Sequence, residues 1–516
     1  MIDRQIWIID FGSQYTQLIT RKTRELGHSS VIMTVEESRD LIKQGHKPEC
    51  IVLSGGPQSV FEDKEDYSFV FELNLPLLGI CYGMQLMGQY FGGKVEKGVI
   101  GEYGHTKVKL KQGQTIANCP SEISVWMSHF DHVSVVPQGF EIVMESHNKL
   151  VATIVNKSKR LMGLQFHPEV EHSEHGKDIL KHFYSVIAGL KEDWDAGEML
   201  KEANELVKTV GQEYVLCAFS GGVDSLVAAT IAHHVIGKNL HCFFVDNGLL
   251  RPQDYGHIQV LKDQTDLNIE IIDAKDIFYK NLAGTDDPEQ KRKIIGRTFI
   301  EVFETKVHDY ERDHNIKFTH LLQGTLYPDV IESTSPHKKG GKSVTIKSHH
   351  NVGGLPERMN LKLLEPLRFL FKDEGRRIGM ELGLKHEWVY RHPFPGPGIG
   401  VRVLGELFPD SIRKVQESDQ ILFEELIEMN LYESVAQAFT VLLPVKTVGV
   451  KGDGRAYEEV ICLRVVSTSD FMTATWSDLS YAFLSKVSNR ITNEVRGITR
   501  VVYDITSKPP GTIEWE

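Results

Sequence analysis

Three things that the sequence lacks narrow the kinds of protein that it can encode. Its six cysteines are scattered without C-x-x-C spacing, so we expect neither a disulfide framework nor a zinc site. No run of about 18 apolar residues predicts a membrane span. No signal peptide precedes the strand-like residues 6–10. These absences favour a protein of the reducing cytoplasm with no membrane partner. The cysteines are Cys50, Cys81, Cys119, Cys217, Cys242 and Cys462.

Positive charge is also scarce. The formal net charge is −12, from 58 Lys and Arg against 70 Asp and Glu, which argues against a nucleic-acid partner. An anionic substrate must then be held by a few local cations and by backbone N–H groups. A chain of 516 residues that is 41% hydrophobic is long enough for about two to four domains with separate cores.

The most specific motif is Ser-Gly-Gly-Val-Asp-Ser at residues 220–225. It follows an apolar run of strand type and precedes an apolar stretch typical of a buried helix. Such a turn directs several backbone N–H groups at one point, which favours a phosphate-like anion. The Gly-Lys-Ser/Thr of a Walker loop is missing, and Asp224 stands in this region instead. A carboxylate beside polyphosphate indicates that a divalent cation bridges them.

This motif resembles the loop of the ATP-pyrophosphatase family, whose members cleave ATP between the α and β phosphates and adenylate a carbonyl oxygen. Leu226 departs from the family pattern, which usually has a small hydroxyl residue there, and we expect it to change helix packing only. The resemblance implies Mg²⁺, held by Asp224, with ATP as co-substrate. Later strand-like runs end near Asp246 and Gly324, and ligands lie at the carboxyl ends of such strands. The predicted ATP-binding residues are Ser220, Gly221, Gly222, Val223, Asp224, Ser225, Asp246, Gly324 and Lys372.

A second motif, Gly79-Ile80-Cys81-Tyr82-Gly83, has the pattern of a nucleophile elbow with cysteine as the nucleophile. Its glycines permit a sharp turn from strand to helix, and the N–H of Tyr82 is then free to donate to an oxyanion. The start of a helix also favours the thiolate form of Cys81. The base is predicted at His167-Pro168-Glu169, where proline ends an apolar strand and a carboxylate follows.

The elbow together with His-Pro-Glu resembles the class I (triad) glutamine amidotransferases, over roughly residues 4 to 190. The resemblance implies Cys81 as nucleophile, His167 as base and Glu169 as the residue that orients it. It also implies that Gly55 or Gly56 supplies a second oxyanion donor and that Gln85 helps to hold glutamine. Residues 126–131 resemble a stretch near the family's glutamine pocket, except that Phe130 stands where glycine is usual.

Residues 391–398 contain too many prolines for a helix or a central strand, and we interpret them as a rigid linker. The remainder predicts helices at residues 409–428 and 476–494 with strands around them, and an exposed sheet edge suited to association. The predicted fold class is α/β, with two doubly wound, mostly parallel sheets followed by a small α+β domain. The predicted domains are an amidotransferase at 1–191, an ATP-pyrophosphatase (synthetase) at 192–391, and a C-terminal dimerisation and nucleotide-contacting domain at 392–516.

A glutaminase that releases ammonia and a loop that adenylates a carbonyl oxygen together predict a glutamine-dependent amidotransferase. From end to end the sequence resembles the synthetases that aminate a purine nucleotide, including residues 349–354 and 508–516. The resemblance implies xanthosine 5′-monophosphate as substrate, with ammonia displacing AMP at C2 to give GMP. It also implies a homodimer through the C-terminal domain. The implied nucleotide contacts are Arg292, Lys508, Ile513 and Glu514.

Other interpretations stay open at this point. A tRNA-modifying ATP-pyrophosphatase enzyme would share the loop, but it should carry basic RNA-binding surface. A regulatory protein with an inactive glutaminase fold would usually have lost a triad residue. Another glutamine-dependent ATP-pyrophosphatase amidotransferase is a closer alternative. Basic residues 290–293 indicate either a solvated helix face or phosphate binding, and the glycine-rich residues 336–343 indicate either a lid over phosphates or a plain loop.

Overall fold

The computed structural model describes residues 4–98, 101–334, 359–451, 454–468 and 473–516. The chain forms two compact units, Met1–Glu198 and Met199–Glu516. The predicted lid at residues 336–343 and the segment at 349–354 lie outside the described residues. No helix in the described ranges is both long and apolar enough to cross a bilayer.

The first unit is built on a nine-stranded sheet. Its strands, together with those of a small two-stranded sheet, are β1 (Ile6–Ile9), β2 (Ser30–Met33), β3 (Cys50–Leu53), β4 (Leu77–Ile80), β5 (Lys94–Glu96), β6 (Glu102–Leu110), β7 (Glu122–His129), β8 (His132–Val135), β9 (Glu141–Ser146), β10 (Val151–Asn156) and β11 (Leu161–Leu164). The large sheet has the order β2-β1-β3-β4-β11-β10-β9-β6-β7, and β5 pairs with β8. The first five strands in this order, from β2 to β11, pair in parallel. The pairs from β11 onward are antiparallel.

The central strands of this sheet are apolar along their whole length. Strands β1, β3, β4 and β11 are buried at every position, as expected for parallel strands that are covered on both faces. The helices of the unit are α1 (Thr16–Glu25), α2 (Val35–Lys43), α3 (Ser68–Phe71), α4 (Tyr82–Tyr90) and α5 (Gly176–His182), which continues as a π-helical turn at Phe183–Ile187. This layout places the ends of β4 and β11 side by side, and the two catalytic motifs follow those ends.

The second unit begins with a five-stranded parallel sheet. Its strands are β12 (Tyr214–Ala218), β13 (Leu240–Asp246), β14 (Ile269–Asp273), β15 (Phe318–Leu322) and β16 (Lys362–Leu364), in the order β14-β13-β12-β15-β16. Helix α6 (Ala196–Lys208) spans the point of division between the units. The helices that follow are α7 (Val223–Ile236), α8 (Pro252–Gln264), α9 (Lys275–Leu282), α10 (Pro288–His314), α11 (Tyr327–Thr334), α12 (Lys372–Glu381) and α13 (His386–Val389).

The C-terminal part adds a mixed four-stranded sheet and two helices. The elements are α14 (Pro409–Glu428), β17 (Gln437–Lys451), β18 (Gly454–Ser467), β19 (Thr475–Trp476), α15 (Tyr481–Glu494) and β20 (Ile498–Tyr503). The helix predicted at 409–428 is confirmed, but the helix predicted from Trp476 begins only at Tyr481. Trp476 instead pairs with Val466 in the sheet, and the Ser480 side chain caps the helix by accepting the N–H of Phe483.

The predicted fold class is confirmed. Two sheets dominated by parallel strands alternate with helices, and a smaller α+β part follows. The three domain limits given above stay predictions.

Candidate functional site

Cys81 lies in a sharp turn between β4 and α4. Its φ of +51° falls in the left-handed region, which is uncommon for a residue with a side chain. Two contacts hold the turn: the Cys81 N–H donates to Leu164 O at 2.7 Å, and the Gly83 N–H donates to Ser54 O at 3.2 Å. A Cβ at Gly79 would lie 2.6 Å from the Gly83 carbonyl carbon, so the strand and helix can approach only without that side chain. The turn therefore has the backbone geometry that the sequence predicts for a nucleophile elbow.

His167 lies beside this turn with its carboxylate partner. Its Nδ1 is 2.7 Å from Glu169 Oε1, and both side chains are buried. No hydrogen-bond donor in the described part of the chain reaches the other Glu169 oxygen, Oε2. Burial alone would lower the pKa of His167, but the Glu169 carboxylate and a hydrogen bond with Cys81 raise it well above its ordinary value. The three predicted triad residues therefore lie together, and the Glu169 carboxylate favours the protonated form of the His167 imidazole.

The glycine turn after β3 forms one wall of the site. A Cβ at Gly55 would lie 3.0 Å from His167 Cε1 and 3.7 Å from Cys81 Cβ, so Gly55 borders both side chains. Gly56 instead packs against Phe11, whose carbonyl oxygen would be 2.9 Å from an added Cβ. Tyr82 is the first residue of α4, and an N–H at that position has no carbonyl acceptor within its own helix. Gly55 and Tyr82 thus lie next to Cys81, whereas Gly56 faces Phe11.

Gln85 lies one helical turn after Cys81 and is buried. Its Nε2 donates to Asp131 O at 2.8 Å and lies 3.5 Å from Gln165 Oε1. Gln165, in turn, places its Nε2 3.7 Å from Cys81 Sγ. Sequence reasoning missed Gln165, although its position two residues before the predicted base was a usable signal.

The wall beside Gln85 rests on a buried pair of side chains, His129 and Glu102. His129 Nδ1 is 3.0 Å from Asp131 O, and its Nε2 is 3.2 Å from a Glu102 carboxylate oxygen. Phe130, the departure from the family pattern, is 46% exposed.

The loop at residues 220–225 joins β12 to α7 and is closed by its own serines. Ser220 Oγ lies 3.0 Å from Ser225 Oγ and accepts the Gly222 N–H at 3.3 Å. Gly324 packs against this loop, because a Cβ there would lie 2.6 Å from the Asp224 carbonyl carbon. The start of α7 and the loop N–H groups are therefore directed to the carboxyl ends of β12 and β15.

A cavity of about 430 Å³ opens over this loop. It is lined by all six loop residues and by Gly324 and Lys372, as predicted. Asp246 does not line it: this carboxylate is buried, 3.0 Å from Lys275 Nζ, and only its neighbours Val245 and Asn247 reach the cavity. Sequence reasoning did not assign Asp254, Arg391 or His392 to this site, although all three line the cavity.

Known proteins are similar to this chain both in separate parts and from end to end. A family model described as Glutamine amidotransferase class-I matches residues 7–187, and one described as GMP synthase C terminal domain matches residues 424–515. Proteins named GMP synthase (glutamine-hydrolyzing) match the chain from end to end. That of Chlorobaculum tepidum is 50% identical over 99% of both chains. Those of Thermosipho africanus and Aquifex aeolicus are each 48% identical, again over 99% of both chains.

This chain belongs to the glutamine-hydrolysing GMP synthase family. Its remaining predicted site residues lie in and around the region that the GMP synthase model matches. Arg292, near the start of α10, donates to the carbonyl oxygen of Glu516. Glu514 accepts from Arg402 at 2.9 Å and from Gln437 at 2.9 Å, and Ile513 is packed in a small apolar cluster. Lys508 is joined to Ala474 by two backbone hydrogen bonds of 2.8 and 3.0 Å.

The tail of this GMP synthase family member covers three fully buried cations. Lys291 Nζ lies 2.6 Å from Glu516 Oε2 and 2.7 Å from Val403 O, so the solvated-face interpretation of residues 290–293 is wrong for Lys291. Arg464 donates to Thr506 O at 2.6 Å and to Thr512 O at 3.0 Å. The third buried cation is Arg402, which pairs with Glu514.

No group of three or more His, Cys, Asp or Glu side chains in the described ranges could hold a metal ion by itself. A Mg²⁺ ion that arrives with ATP needs only one or two protein carboxylates, because phosphate oxygens and waters complete its shell. Asp224 and Asp329 both line the cavity, so the residues present fit an ion of this kind.

Proposed function

We propose that this chain aminates xanthosine 5′-monophosphate to GMP, with ammonia from glutamine and with ATP cleaved to AMP and pyrophosphate. The observation that carries the proposal is that one chain holds both a Cys81–His167–Glu169 cluster and a glycine loop that lines an open cavity. The first can release ammonia, and the second can activate a carbonyl oxygen. Membership of the family supports the pairing of the two reactions.

The glutaminase reaction begins when the Cys81 thiolate attacks the side-chain carboxamide carbon of glutamine and forms a C–S bond. The His167 imidazolium gives its proton to the nitrogen, which leaves as ammonia, and then takes a proton from the water that hydrolyses the thioester to glutamate. The N–H of Tyr82 and an N–H of the Gly55–Gly56 turn stabilise the oxyanion in both steps. Gln85 helps to hold glutamine, because its hydrogen bond to the Asp131 carbonyl fixes the wall of the glutamine pocket.

The synthetase reaction takes place over the loop at residues 220–225. The backbone N–H groups of the loop, with Lys372, hold the ATP phosphates, and Asp224 would hold the Mg²⁺ ion that accompanies ATP. The bound ion would neutralise charge that develops on the leaving pyrophosphate. The C2 oxygen of the substrate displaces pyrophosphate to form an adenylate, and ammonia then displaces AMP.

We further propose that Arg292, Lys508, Ile513 and Glu514 contact the substrate nucleotide and that the C-terminal domain forms a homodimer. Large apolar side chains exposed on that part support association, among them Val450 at 76% and Tyr481 at 86%. All six cysteines are free thiols, which fits the cytoplasmic location proposed for the protein. The three domains proposed are 1–191, 192–391 and 392–516.

Replacing the nucleophile separates the two reactions. Cys81→Ala should abolish GMP formation with glutamine but leave formation with an ammonium salt largely intact, since only the source of ammonia is lost. AMP, pyrophosphate and GMP are measured with either nitrogen donor, against a panel of nucleotides and tRNA. Failure of the ammonium salt to support the variant, or equal turnover of another acceptor, would contradict the proposal.

Replacing the proposed metal ligand should impair the synthetase reaction, which is needed with either nitrogen donor. Asp224→Asn keeps the side-chain shape but removes its charge, so GMP formation from either donor should fall by about a hundredfold. Asp313→Asn, an exposed carboxylate near the end of α10, is the matched control and should change neither rate. Near-normal rates in the Asp224 variant would assign the ion to another carboxylate, with Asp329 the next to replace.

A further inference from the structure

One carboxylate ties the loop that follows β3 to the start of α4. Asp63 Oδ2 accepts a hydrogen bond from the Tyr82 hydroxyl at 2.7 Å and another from the Tyr67 hydroxyl at 2.6 Å. The backbone N–H of Glu65 donates to the other oxygen, Oδ1, at 2.9 Å. Tyr82 is 1% exposed, so its hydroxyl reaches Asp63 from within the core.

The two tyrosines connect different parts of the structure. Tyr67 lies on the same loop as Asp63, four residues further on, so their bond is internal to the loop. Tyr82 opens α4 and directly follows Cys81, so its bond crosses from the loop to the elbow. Phe11 contacts both rings edge-on, with centroid distances of 5.2 Å to Tyr67 and 5.3 Å to Tyr82.

The charge states of Asp63, Tyr67 and Tyr82 favour stable hydrogen bonds between them. Burial alone would raise the pKa of Asp63, but the hydrogen bonds from Tyr67, Tyr82 and the Glu65 N–H hold it below its usual range. Burial and the Asp63 carboxylate both raise the pKa of the Tyr82 phenol. At neutral pH the carboxylate is therefore charged and both phenols are neutral donors, which gives two charge-assisted hydrogen bonds.

We propose that Asp63 is a positioning residue of the glutaminase reaction, which aligns the oxyanion donors on either side of Cys81 through the Tyr82 phenol. The inference depends on the proposed role of Cys81 as nucleophile. The loop that bears Asp63 begins with the Gly55–Gly56 turn, and the Tyr82 N–H shares its Cα with the ring that Asp63 holds. This contact is therefore a second link between the two donors, beside the bond from the Gly83 N–H to Ser54 O.

Two features explain why this tie is needed and why its loss should not unfold the unit. Cys81 has a sparsely populated backbone conformation, which persists only where its surroundings hold it. The loop has a second attachment, because Ser59 Oγ donates to Asp131 Oδ2 at 2.5 Å. Without the Asp63–Tyr82 bond the loop stays in place, and the bond from the Gly83 N–H to Ser54 O still joins it to the first turn of α4, so the alignment loosens without being lost.

Tyr82→Phe tests the proposal with the loss of one hydroxyl. The ring and its contact with Phe11 remain, and so does the backbone N–H. We expect kcat for glutamine hydrolysis to fall about tenfold, less than the loss of a whole oxyanion donor, while KM changes less than about twofold. Alkylation of Cys81 by iodoacetamide should keep its rate, because it needs the thiolate but no oxyanion site.

Tyr67→Phe is the matched control, since it removes a hydroxyl from the same carboxylate oxygen without touching the elbow, and kcat should fall less than about threefold.

Asp63→Ala should match Tyr82→Phe, and Asp63→Asn should restore part of the loss. The double variant Tyr82→Phe/Asp63→Ala should be no slower than either variant alone. Equal losses in both tyrosine variants, additive losses in the double variant, or a normal kcat in Tyr82→Phe would overturn the proposal. Any of these results leaves the role of Cys81 intact, because Cys81→Ala tests that role separately.

Discussion

A methyl group added at Gly55 would enter the space between the base and the nucleophile. The Cβ of Gly55→Ala would lie 3.0 Å from His167 Cε1, 3.4 Å from Ser13 Oγ and 3.7 Å from Cys81 Cβ. The imidazole has to move by roughly half an ångström to reach an ordinary carbon–carbon contact of about 3.5 Å. It cannot move freely, because Glu169 holds Nδ1 at 2.7 Å and the Tyr15 ring packs against it at a centroid distance of 4.9 Å.

The expected magnitude follows from that displacement. A misplacement of about 1 Å in an active site costs about a hundredfold in rate. Half of that shift should cost about tenfold in kcat, equivalent to about 1.4 kcal/mol. The overpacked methyl should also lower the free energy of unfolding by about 1–3 kcal/mol.

The assay is glutamate release by the purified variant, with GMP formation from an ammonium salt as the test that the synthetase site is intact. Unlike Tyr82→Phe, this variant should also slow alkylation of Cys81, because the imidazolium moves away from the thiolate. Gly197→Ala is the control: it adds the same methyl within α6, where the nearest atom is a flexible Asp195 carboxylate oxygen at 3.2 Å. A Gly55→Ala enzyme with kcat within twofold of the original would refute the placement of the triad.

Two further predictions concern buried charge. The Glu169 carboxylate raises the pKa of His167, so the active imidazolium is lost only as pH rises through that raised pKa. Glu169→Gln should therefore move the alkaline limb of the glutaminase pH profile to lower pH. An unmoved limb would show that Glu169 does not cause the raised pKa. Lys291→Met leaves the Glu516 carboxylate without its partner and should cost about 3–5 kcal/mol of unfolding free energy. The exposed control Lys293→Met should cost about 0.5 kcal/mol or less, and equal effects on urea unfolding would show that the Lys291 contact contributes little.

The parts of the protein that sequence reasoning located are those built from short local patterns. The turn around Cys81 needs glycines at fixed positions, and the apolar run before His167 is followed by Pro168, so residue types reveal both. The loop at residues 220–225 could be recognised for the same reason, because its six residues are consecutive in the sequence. Each of these predictions needed only a few consecutive residues and the rule that ligands gather where parallel strands end.

The parts that sequence reasoning missed depend on contacts between distant segments. Lys291 lies in a run of basic residues on a helix, a pattern typical of a solvated face, but its partner Glu516 is 225 residues away. The Asp63–Tyr82 bond joins a loop without periodicity to a helix start, and neither residue type indicates the other. The helix expected from Trp476 began later because pairing with Val466 outweighed helix propensity.

The buried cations also bear on how the protein is made. Lys291, Arg402 and Arg464 take partners from residues 504–516, which are synthesised after all three cations. Until those residues are present, the three cations lack their carboxylate partners Glu516, Glu514 and Asp504, and a buried charge that loses its partner is strongly destabilising. Domains fold as units during synthesis, so the first unit can form before residues 504–516 are available to the second. A chain that stops before residue 504 should therefore have a second unit that is readily cleaved by proteases, while its first unit stays resistant.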